Sequence, residues 1–592
     1  MKLSKLKEIP TTRGMIDVFR GYNHNLRIGE GEFYDMKNLS SADYPVLSPR
    51  PKRGIFKFPT LTANPQGMIA KDAFCYVDGG DFYINKYRVD GFELDPNTNK
   101  TLISMGAYVI IMPDKKYINI ESEGFSDHGS IEATKETSGT VTFTLCTVDG
   151  TDYQIKEENI KDTAPSDPKN MDLWIDTSGS THTLKQYAAT TSQWVSVATT
   201  YIKISANGIG QPFDVNDGVT ISGIEDEALA DLNASMIIWA KGEHYIVVTG
   251  ILDKVTTQTA KVTVSRKMPY MDFIIESQNR LWGCRYGVAR NGEVVNEIYA
   301  SKLGDFKNWN CFHTPSLSTD SYVTSVGTDG QFTGAITHLG YPIFFKENCM
   351  HKVYGNYPAN FQIQTTTCRG VHKGCSKSLA IVNEILYYKS RSAVCAYDGS
   401  LPVEISSALG DVSYSDAVAG VLGNKYYISM RDAEDYHLFV YDTAKGMWHK
   451  EDNTQAVDFC NCDGNLYYID YDSNSIKMVN APSDPNIGDT ESTPIKWEAI
   501  TGIIGTDSPD KKYISRLIVR LSLEIGTTVI FSAEYDSSGA WEHLFTMSGT
   551  TLKTFSIPIR PKRCDHLRLR IYGEGEAKIF SICKNVEQGS DI

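Results

Sequence analysis

The chain contains 592 residues, which corresponds to about four domains of ordinary size. Hydrophobic residues make up 41% and charged residues 22%, a globular composition that excludes disorder of the whole chain. With 58 basic and 72 acidic residues the formal net charge is −14, so nucleic acid could be bound only through a local basic patch.

The start of the chain, MKLSKLKEIP, carries lysines without an apolar run behind them, so we do not expect a signal peptide. A stretch of about 18 apolar residues is also missing, which argues against a membrane-spanning helix. The 12 cysteines are scattered along the chain. We therefore expect reduced, packed thiols in a protein made in a cytoplasm.

Short aromatic and β-branched runs fill the sequence, and apolar residues at helical spacing are rare, which predicts an all-β fold. Aromatic hairpins start at Pro342, Glu384, Lys425 and Asn465, at intervals of 42, 41 and 40 residues. A similar hairpin starts at Arg280. A period of about 40–50 residues is typical of β-propeller blades, which bury their faces against one another around an axis.

Two earlier segments, from Ala73 and Ala107, follow the same pattern. We therefore assign an N-terminal arm and the first propeller strands to residues 1–60, and propeller blades to residues 61–120 and 268–480. The sequence leaves the number of blades open between six and eight.

The remaining regions differ from the blades in composition. Residues 121–267 are richer in Thr, Ser and Asp, which predicts one or two small β-domains inserted into a propeller loop. Residues 481–494 form a Pro/Asp/Gly-rich linker. Alternating apolar and polar residues in 495–592, as in HLRLRIYG, predict a C-terminal β-sandwich of jelly-roll type.

The sequence contains no complete motif for catalysis, a cofactor or a metal. Cys460 and Cys462 have no second pair of ligands at zinc spacing, and packed thiols are favoured. Cys368, His372 and Cys375 flank one turn, where a metal clip is the alternative to packed thiols. A nucleophile elbow, a zinc-protease motif and a phosphate loop are all missing. The prediction is therefore no enzyme, no cofactor and no metal.

Two basic runs, SPRPKRG and IPIRPKR, stand out against the acidic mean. They predict a patch that contacts DNA or an acidic partner subunit, and the alternative is a solvated strand face. The candidate residues are Arg50, Lys52, Arg53, Arg560, Lys562 and Arg563.

The segment FRGYNHNLRIGEGEFYDMKNLSSADYPVLSPRPKRG, residues 19–54, resembles the start of phage tail-hub proteins of the β-propeller type. That family includes the nozzle and packaged-DNA stabilization proteins of short-tailed phages. Central segments such as GYPIFFKENCMHKVYGNYPANFQI resemble successive blades of these proteins, and the C-terminal RCDHLRLRIYGEGEAKIF resembles their terminal sandwich.

The resemblance implies a structural component of the virion tail, assembled in the host cytoplasm. It implies a homo-oligomeric ring, commonly hexameric, below the portal and adaptor, which continues the DNA channel without reading sequence and helps to retain packaged DNA. It carries no active-site residues. The alternative is a propeller that binds a virion or cell-surface glycan through its Tyr/Trp-rich insert, and a polysaccharide-degrading enzyme is the third hypothesis.

Overall fold

The computed structural model describes residues 11–56, 64–288, 292–480, 487–490, 494–505, 510–560 and 562–588. The described chain consists of β-strands joined by loops and short 3-10 helices, which confirms the predicted all-β class. These helices are Glu123–Phe125, Glu157–Asn159, Glu227–Leu232, Pro358–Asn360, Ser376–Ser378 and Ser407–Leu409. Within the described residues, no helix has the length and apolar character needed to cross a membrane.

In the described chain, seven units of four antiparallel strands share one pattern, and we call them blades 1 to 7. Six are separate sheets, and blade 6 is part of a larger sheet. The strands of blades 1 to 3 are Pro65–Lys71, Ala73–Asp78, Asp81–Ile84 and Tyr87–Glu93; Thr101–Met105, Tyr108–Met112, Lys116–Asn119 and His128–Ser130; and Phe273–Ser277, Arg280–Val288, Val294–Ala300 and Tyr322–Ser325. Those of blades 4 and 5 are Gly334–His338, Tyr341–Lys346, Cys349–Tyr354 and Gln362–Thr367; and Ala380–Val382, Ile385–Lys389, Val394–Tyr397 and Val403–Glu404. Those of blades 6 and 7 are Ser415–Leu422, Lys425–Arg431, Tyr436–Asp442 and Met447–Lys450; and Ala456–Cys462, Asn465–Asp470, Ser475–Met478 and Gly54–Phe56, with Ile487–Thr490 beside the last.

The blades close into a ring around one axis. The first strand of blade 7 packs against the first strand of blade 1, so the last and first wedges are neighbours. The N-terminal strand Gly54–Phe56 completes blade 7 by pairing with Ser475–Met478. The aromatic ring of Phe56 packs against Phe74 of blade 1, with ring centres 5.2 Å apart, and against Tyr467 of blade 7, with ring centres 5.8 Å apart. The predicted stacking of wedges is thereby confirmed, with seven blades.

Adjacent aromatic residues in the second strands explain the repeat seen in the sequence. Successive side chains of a strand point to opposite faces, and a blade has a neighbour on both faces. Phe344 therefore joins the core between blades 3 and 4, whereas Phe345 packs on Tyr388 of blade 5 at 5.2 Å. Tyr426 likewise contacts Tyr387 of blade 5 at 5.4 Å.

The insert lies between blades 2 and 3 and has its own apolar core. Blade 2 ends at Ser130, because His128–Ser130 pairs with Lys116–Asn119 and completes that blade, so the insert begins later than the predicted boundary at residue 121. The insert comprises three sheets. Their strands are Ala133–Glu136, Thr263–Arg266, Gly218–Ser222 and Ser235–Ile237; Ala240–Gly242, Tyr245–Thr249, Tyr201–Ser205, Val141–Cys146 and Thr256–Gln258; and Ile160–Lys161, Leu173–Asp176, Thr183–Ala188 and Gln193–Ser196.

The C-terminal region forms a two-layer β-structure around one bent strand. The first half of Lys512–Tyr535 pairs with Ala577–Gln588 and its second half with Leu567–Glu574, while Glu542–Ile557 follows it as a hairpin. The apolar side of this strand joins a core shared with blades 4 to 6. Lys496–Thr501 extends the second layer beside Leu567–Glu574.

N-terminal strands join this region to the propeller. Thr11–Ile16 pairs with Ala577–Gln588, and Glu32–Lys37 pairs with Lys496–Thr501. Tyr22 then pairs with Trp448 of blade 6, so blade 6 and the C-terminal region share one twelve-stranded sheet. The remaining short strands are Gly21–Tyr22, Leu39–Ser40 and Ser48–Pro49. Of residues 1–60, only Gly54–Phe56 therefore adds a strand that completes a blade in the described chain.

Candidate functional site

The first strands of the blades surround a central cavity of about 510 Å³, which we call the axial pocket. Six of the seven blades, or the segments that lead into them, contribute lining residues. Representative residues, from blades 1, 2, 3, 4, 5 and 7, are Met68, Leu102, Ile274, Ala335, Lys377 and Asp458. A volume of this size is typical of a pocket for a small ligand.

An ion pair crosses one side of the axial pocket. The Lys377 ammonium donates to the Val457 carbonyl at 3.0 Å and lies 3.5 Å from the Asp458 carboxylate. Lys377 precedes blade 5 and Asp458 belongs to blade 7, so the contact joins two blades that are separated in the ring by blade 6. A second lysine of the lining, Lys115, is paired with Glu132 at 2.8 Å.

Glu132 stays ionised beside that lysine. Burial alone would raise its pKa, but hydrogen bonds from Lys115 and the Met268 backbone N–H outweigh burial and lower the pKa. The charges of Lys115 and Glu132 are therefore balanced within the protein.

The lining of the axial pocket includes an exposed aromatic ring and, two residues along the chain, a carboxylate. Tyr270 is 65% exposed, and the guanidinium of Arg285 lies 4.9 Å from the centre of its ring. Asp272, another lining residue, accepts a hydrogen bond from the Tyr286 backbone N–H at 2.8 Å. A flat ring near a carboxylate offers a polyhydroxylated ligand both a stacking surface and a hydrogen-bond acceptor.

Sequence reasoning did not identify the axial pocket. Its polar residues come from different blades, and no two of Tyr270, Lys377 and Asp458 share a local motif. The useful signal was the blade repeat itself, because the first strand of each repeat faces the axis.

The predicted patch at residues 50–53 is corrected by the structure. Arg50 and Arg53 have side chains only 5% and 6% exposed. The Arg53 guanidinium donates to Glu451 at 2.6 Å and to Asp452 at 2.7 Å, and Arg50 lies 3.7 Å from Asp452. Arg50 and Arg53 can be buried because their charges are neutralised by Glu451 and Asp452, which follow the last strand of blade 6. Lys52 alone of the three stays partly exposed.

The second predicted patch lies at the surface of the C-terminal region. Arg560, Lys562 and Arg563 are exposed. Lys562 pairs with Glu542 and lies 4.8 Å from the ring centre of Tyr535. A role of these residues in contacting DNA or a partner subunit stays a prediction.

The cysteines are all free thiols, as predicted, and ten of the 12 are buried. His372, between Cys368 and Cys375, pairs with Glu347 at 2.8 Å instead. Among the described residues, one group of three side chains has donor atoms close enough to hold a metal ion, namely Cys311, His313 and Asp320. The Cys-x-His spacing of Cys311 and His313 is the sequence signal that could have indicated this group.

Comparisons with known proteins gave structural matches alone. Neither a family model nor a curated protein matches the chain. An exo-β-1,3-galactanase from Phanerochaete chrysosporium matches with 8% identity over 52% of this chain and 94% of its own, at a TM-score of 0.22. The GH43 protein BlXynB from Bacillus licheniformis matches with 8% identity over 52% and 96%, at 0.20. An acylaminoacyl peptidase from Pyrococcus horikoshii matches with 9% identity over 49% and 47%, at 0.21.

The prediction that the chain is not an enzyme is contradicted by these matches, which are to enzymes. That prediction rested on missing sequence motifs, but catalytic carboxylates are defined by their separation in space and, in a propeller, come from different blades. Missing contiguous motifs therefore do not exclude catalysis. TM-scores near 0.2 assign none of these reactions to this chain.

Proposed function

We propose that the protein is a structural subunit of a phage tail whose copies associate into a ring around the DNA channel. The proposal starts from the resemblance of residues 19–54 and of the blades to tail-hub proteins. The observation that carries it is the strand Glu542–Ile557, which is 16 residues long and pairs on one side only within the described chain. An open strand edge of this length is a template for pairing with another chain.

The size of the axial pocket determines where DNA would pass. A cavity of about 510 Å³ with the Lys377–Asp458 pair on one side has the volume of a small-ligand site, so we expect no duplex inside a single propeller. A conduit would have to be enclosed by several copies. The net charge of −14 suits a lumen that repels DNA rather than retaining it on its wall.

Mass photometry of the purified full chain, with and without its adaptor partner, tests the proposal. A closed multimer, together with recovery of the chain in phage particles by mass spectrometry, is expected. Leu552→Lys, at an exposed position of the open strand, should shift the multimer towards monomer, whereas Val195→Lys in the insert should not. A chain that stays monomeric with its partner and is absent from particles would overturn the proposal.

A second candidate function is carbohydrate binding in the axial pocket, favoured by the exposed Tyr270 beside Asp272. A glycan array with the full chain tests it. Tyr270→Ala should abolish binding because the stacking ring is lost, whereas Tyr87→Ala removes a ring of similar exposure, 59%, from blade 1 and should leave binding unchanged. Absence of array binding by the unmodified chain would remove this candidate.

A further inference from the structure

The loop between the third and fourth strands of blade 3, residues 301–321, folds into a compact structure around three chemically distinct side chains. Donor atoms of Cys311, His313 and Asp320 all lie within 4.8 Å of one another. The Arg280 guanidinium connects the two ends of the loop, because it donates to the carbonyls of Ser301 at 2.7 Å and Asp320 at 2.5 Å. The three side chains are therefore placed by a loop with its own internal support.

The cluster is shielded from water. Cys311 is fully buried, and the side chains of His313 and Asp320 are 9% and 1% exposed. The Trp239 ring of the insert meets the His313 ring edge-on at 5.6 Å. A further donor, the Asn216 carbonyl oxygen of the insert, lies 3.7 Å from the Cys311 sulfur. The cluster thus sits at the seam between the insert and blade 3.

Asp320 differs from the buried carboxylates of Asp217 and Glu451 in its partners. Asp217 pairs with Arg266, and Glu451 pairs with Arg53. Within the described chain no lysine or arginine lies within ion-pair distance of the Asp320 carboxylate, although the Arg280 guanidinium on the Asp320 backbone carbonyl acts on it electrostatically. The carboxylate accepts from the His313 ring at 2.5 Å, from the Ser316 hydroxyl and from backbone N–H groups of His313 and Leu317. A buried carboxylate is most stable when a cation balances it.

We propose that Cys311, His313 and Asp320 bind a divalent transition-metal ion of the zinc type, with the Asn216 carbonyl as a further donor. Thiolate, imidazole and carboxylate are the ligands zinc takes in proteins, and the thiolate disfavours magnesium and calcium. A thiolate and a carboxylate together neutralise the ion, which suits a buried site. Zinc replaces the thiol proton of Cys311, which leaves to solvent as the Zn–S bond forms.

The geometry needs only a small adjustment. Bond lengths of about 2.0–2.3 Å to zinc place neighbouring ligand atoms about 3.5 Å apart. The hydrogen bond between His313 and Asp320 therefore opens as each side chain turns to the metal. Because Asn216 and Trp239 belong to the insert, the bound ion would fasten the insert to the propeller.

The test loads the purified full chain with cobalt(II) after removal of metal by a chelator, and measures its absorption spectrum. A thiolate-to-cobalt charge-transfer band with intense tetrahedral d–d bands is expected, and zinc should displace the cobalt at about one ion per chain. Elemental analysis of protein purified without chelator measures the zinc content independently.

Variants locate the site. Cys311→Ser should abolish the charge-transfer band, and Asp320→Asn should weaken binding at least tenfold. Cys284→Ser, which changes a buried thiol of blade 3 outside the cluster, should leave the band intact. Absence of the band in the unmodified chain, or its persistence in Cys311→Ser, would overturn the proposal. Misfolding of a variant could explain neither of these two outcomes.

Discussion

Arg53 shows what a single buried charge does in this protein. Its guanidinium contacts Glu451 at 2.6 Å, Asp452 at 2.7 Å and the Thr454 hydroxyl at 2.8 Å. Arg53→Met should cost about 3–5 kcal/mol, because the buried Glu451 and the partly buried Asp452 then lose their main counter-charge. Lys156→Met, which removes one partner of an exposed pair with Glu158, should change stability by less than about 0.5 kcal/mol.

Hydrogen exchange of the strands of blade 6 measures the Arg53 effect locally, since a chain with many blades need not unfold in one step. Equal protection in Arg53→Met and Lys156→Met would contradict the buried ion-pair network. Unchanged protection with weakened DNA binding would instead restore the surface role predicted for Arg53.

The same cluster predicts a pH dependence. Burial opposes ionisation of Asp452, but the charges of Arg53 and Arg50 outweigh it and hold its pKa at about 2. The unfolded value is about 3.9, so the stabilisation, on the order of 2 kcal/mol, is complete above that pH and is lost as the pH falls towards 2. The difference in stability between the native chain and Arg53→Met should therefore be largest near neutral pH and shrink below about pH 4, as measured by hydrogen exchange of the blade 6 strands at several pH values. A difference that grows on acidification would contradict this sign.

At the scale of single residues, the sequence shows the positive charge of Arg53 but not which residues pair with it. The basic run around Arg53 was visible, whereas Glu451 lies 398 residues away along the chain. A local pattern reports composition, and burial depends on which distant segment folds over it. The same limit hid the group of Cys311, His313 and Asp320, because Asp320 approaches the other two only through the fold of its loop.

Among the elements, the short strand Gly54–Phe56 closes the propeller. Phe56→Ala should cost about 3–5 kcal/mol, because its ring fills the space between blades 1 and 7. Ile55→Ala on the same strand is the matched control, since Ile55 is 42% exposed and its loss should cost little. Hydrogen exchange should rise in blades 1 and 7 for Phe56→Ala alone, and equal effects of both substitutions would contradict the closing role.

The elements that could be predicted are those whose pattern is local. Paired aromatics such as Phe344 and Phe345 face two neighbouring blades, so each blade repeats the pattern and the propeller follows from it. The closing strand escaped prediction because its partner, Ser475–Met478, lies at the other end of the propeller. The boundary of the insert was placed too early because His128–Ser130 is a short polar strand without an apolar signal.

In the whole molecule, the insert and the C-terminal region are attached in different ways. The insert has its own core, and its ends meet where Ala133 pairs with Arg266. The C-terminal region shares a core with blades 4 to 6 and a continuous sheet with blade 6. The two appendages should therefore respond differently to removal.

Replacing residues 132–267 by a short Gly/Ser linker should leave a soluble chain, because the sheets of all seven blades keep their strands. Removing residues 496–588 should instead give an aggregating or partly unfolded chain, because Glu32–Lys37 loses its pairing strand and buried residues such as Trp448 and Phe33 lose their cover. Soluble yield and hydrogen exchange in blades 4 to 6 measure the difference. Equal behaviour of the two deletions would mean that the shared sheet does not couple the C-terminal region to the propeller, and a ring built through the open strand Glu542–Ile557 would then lack a rigid connection to its blades.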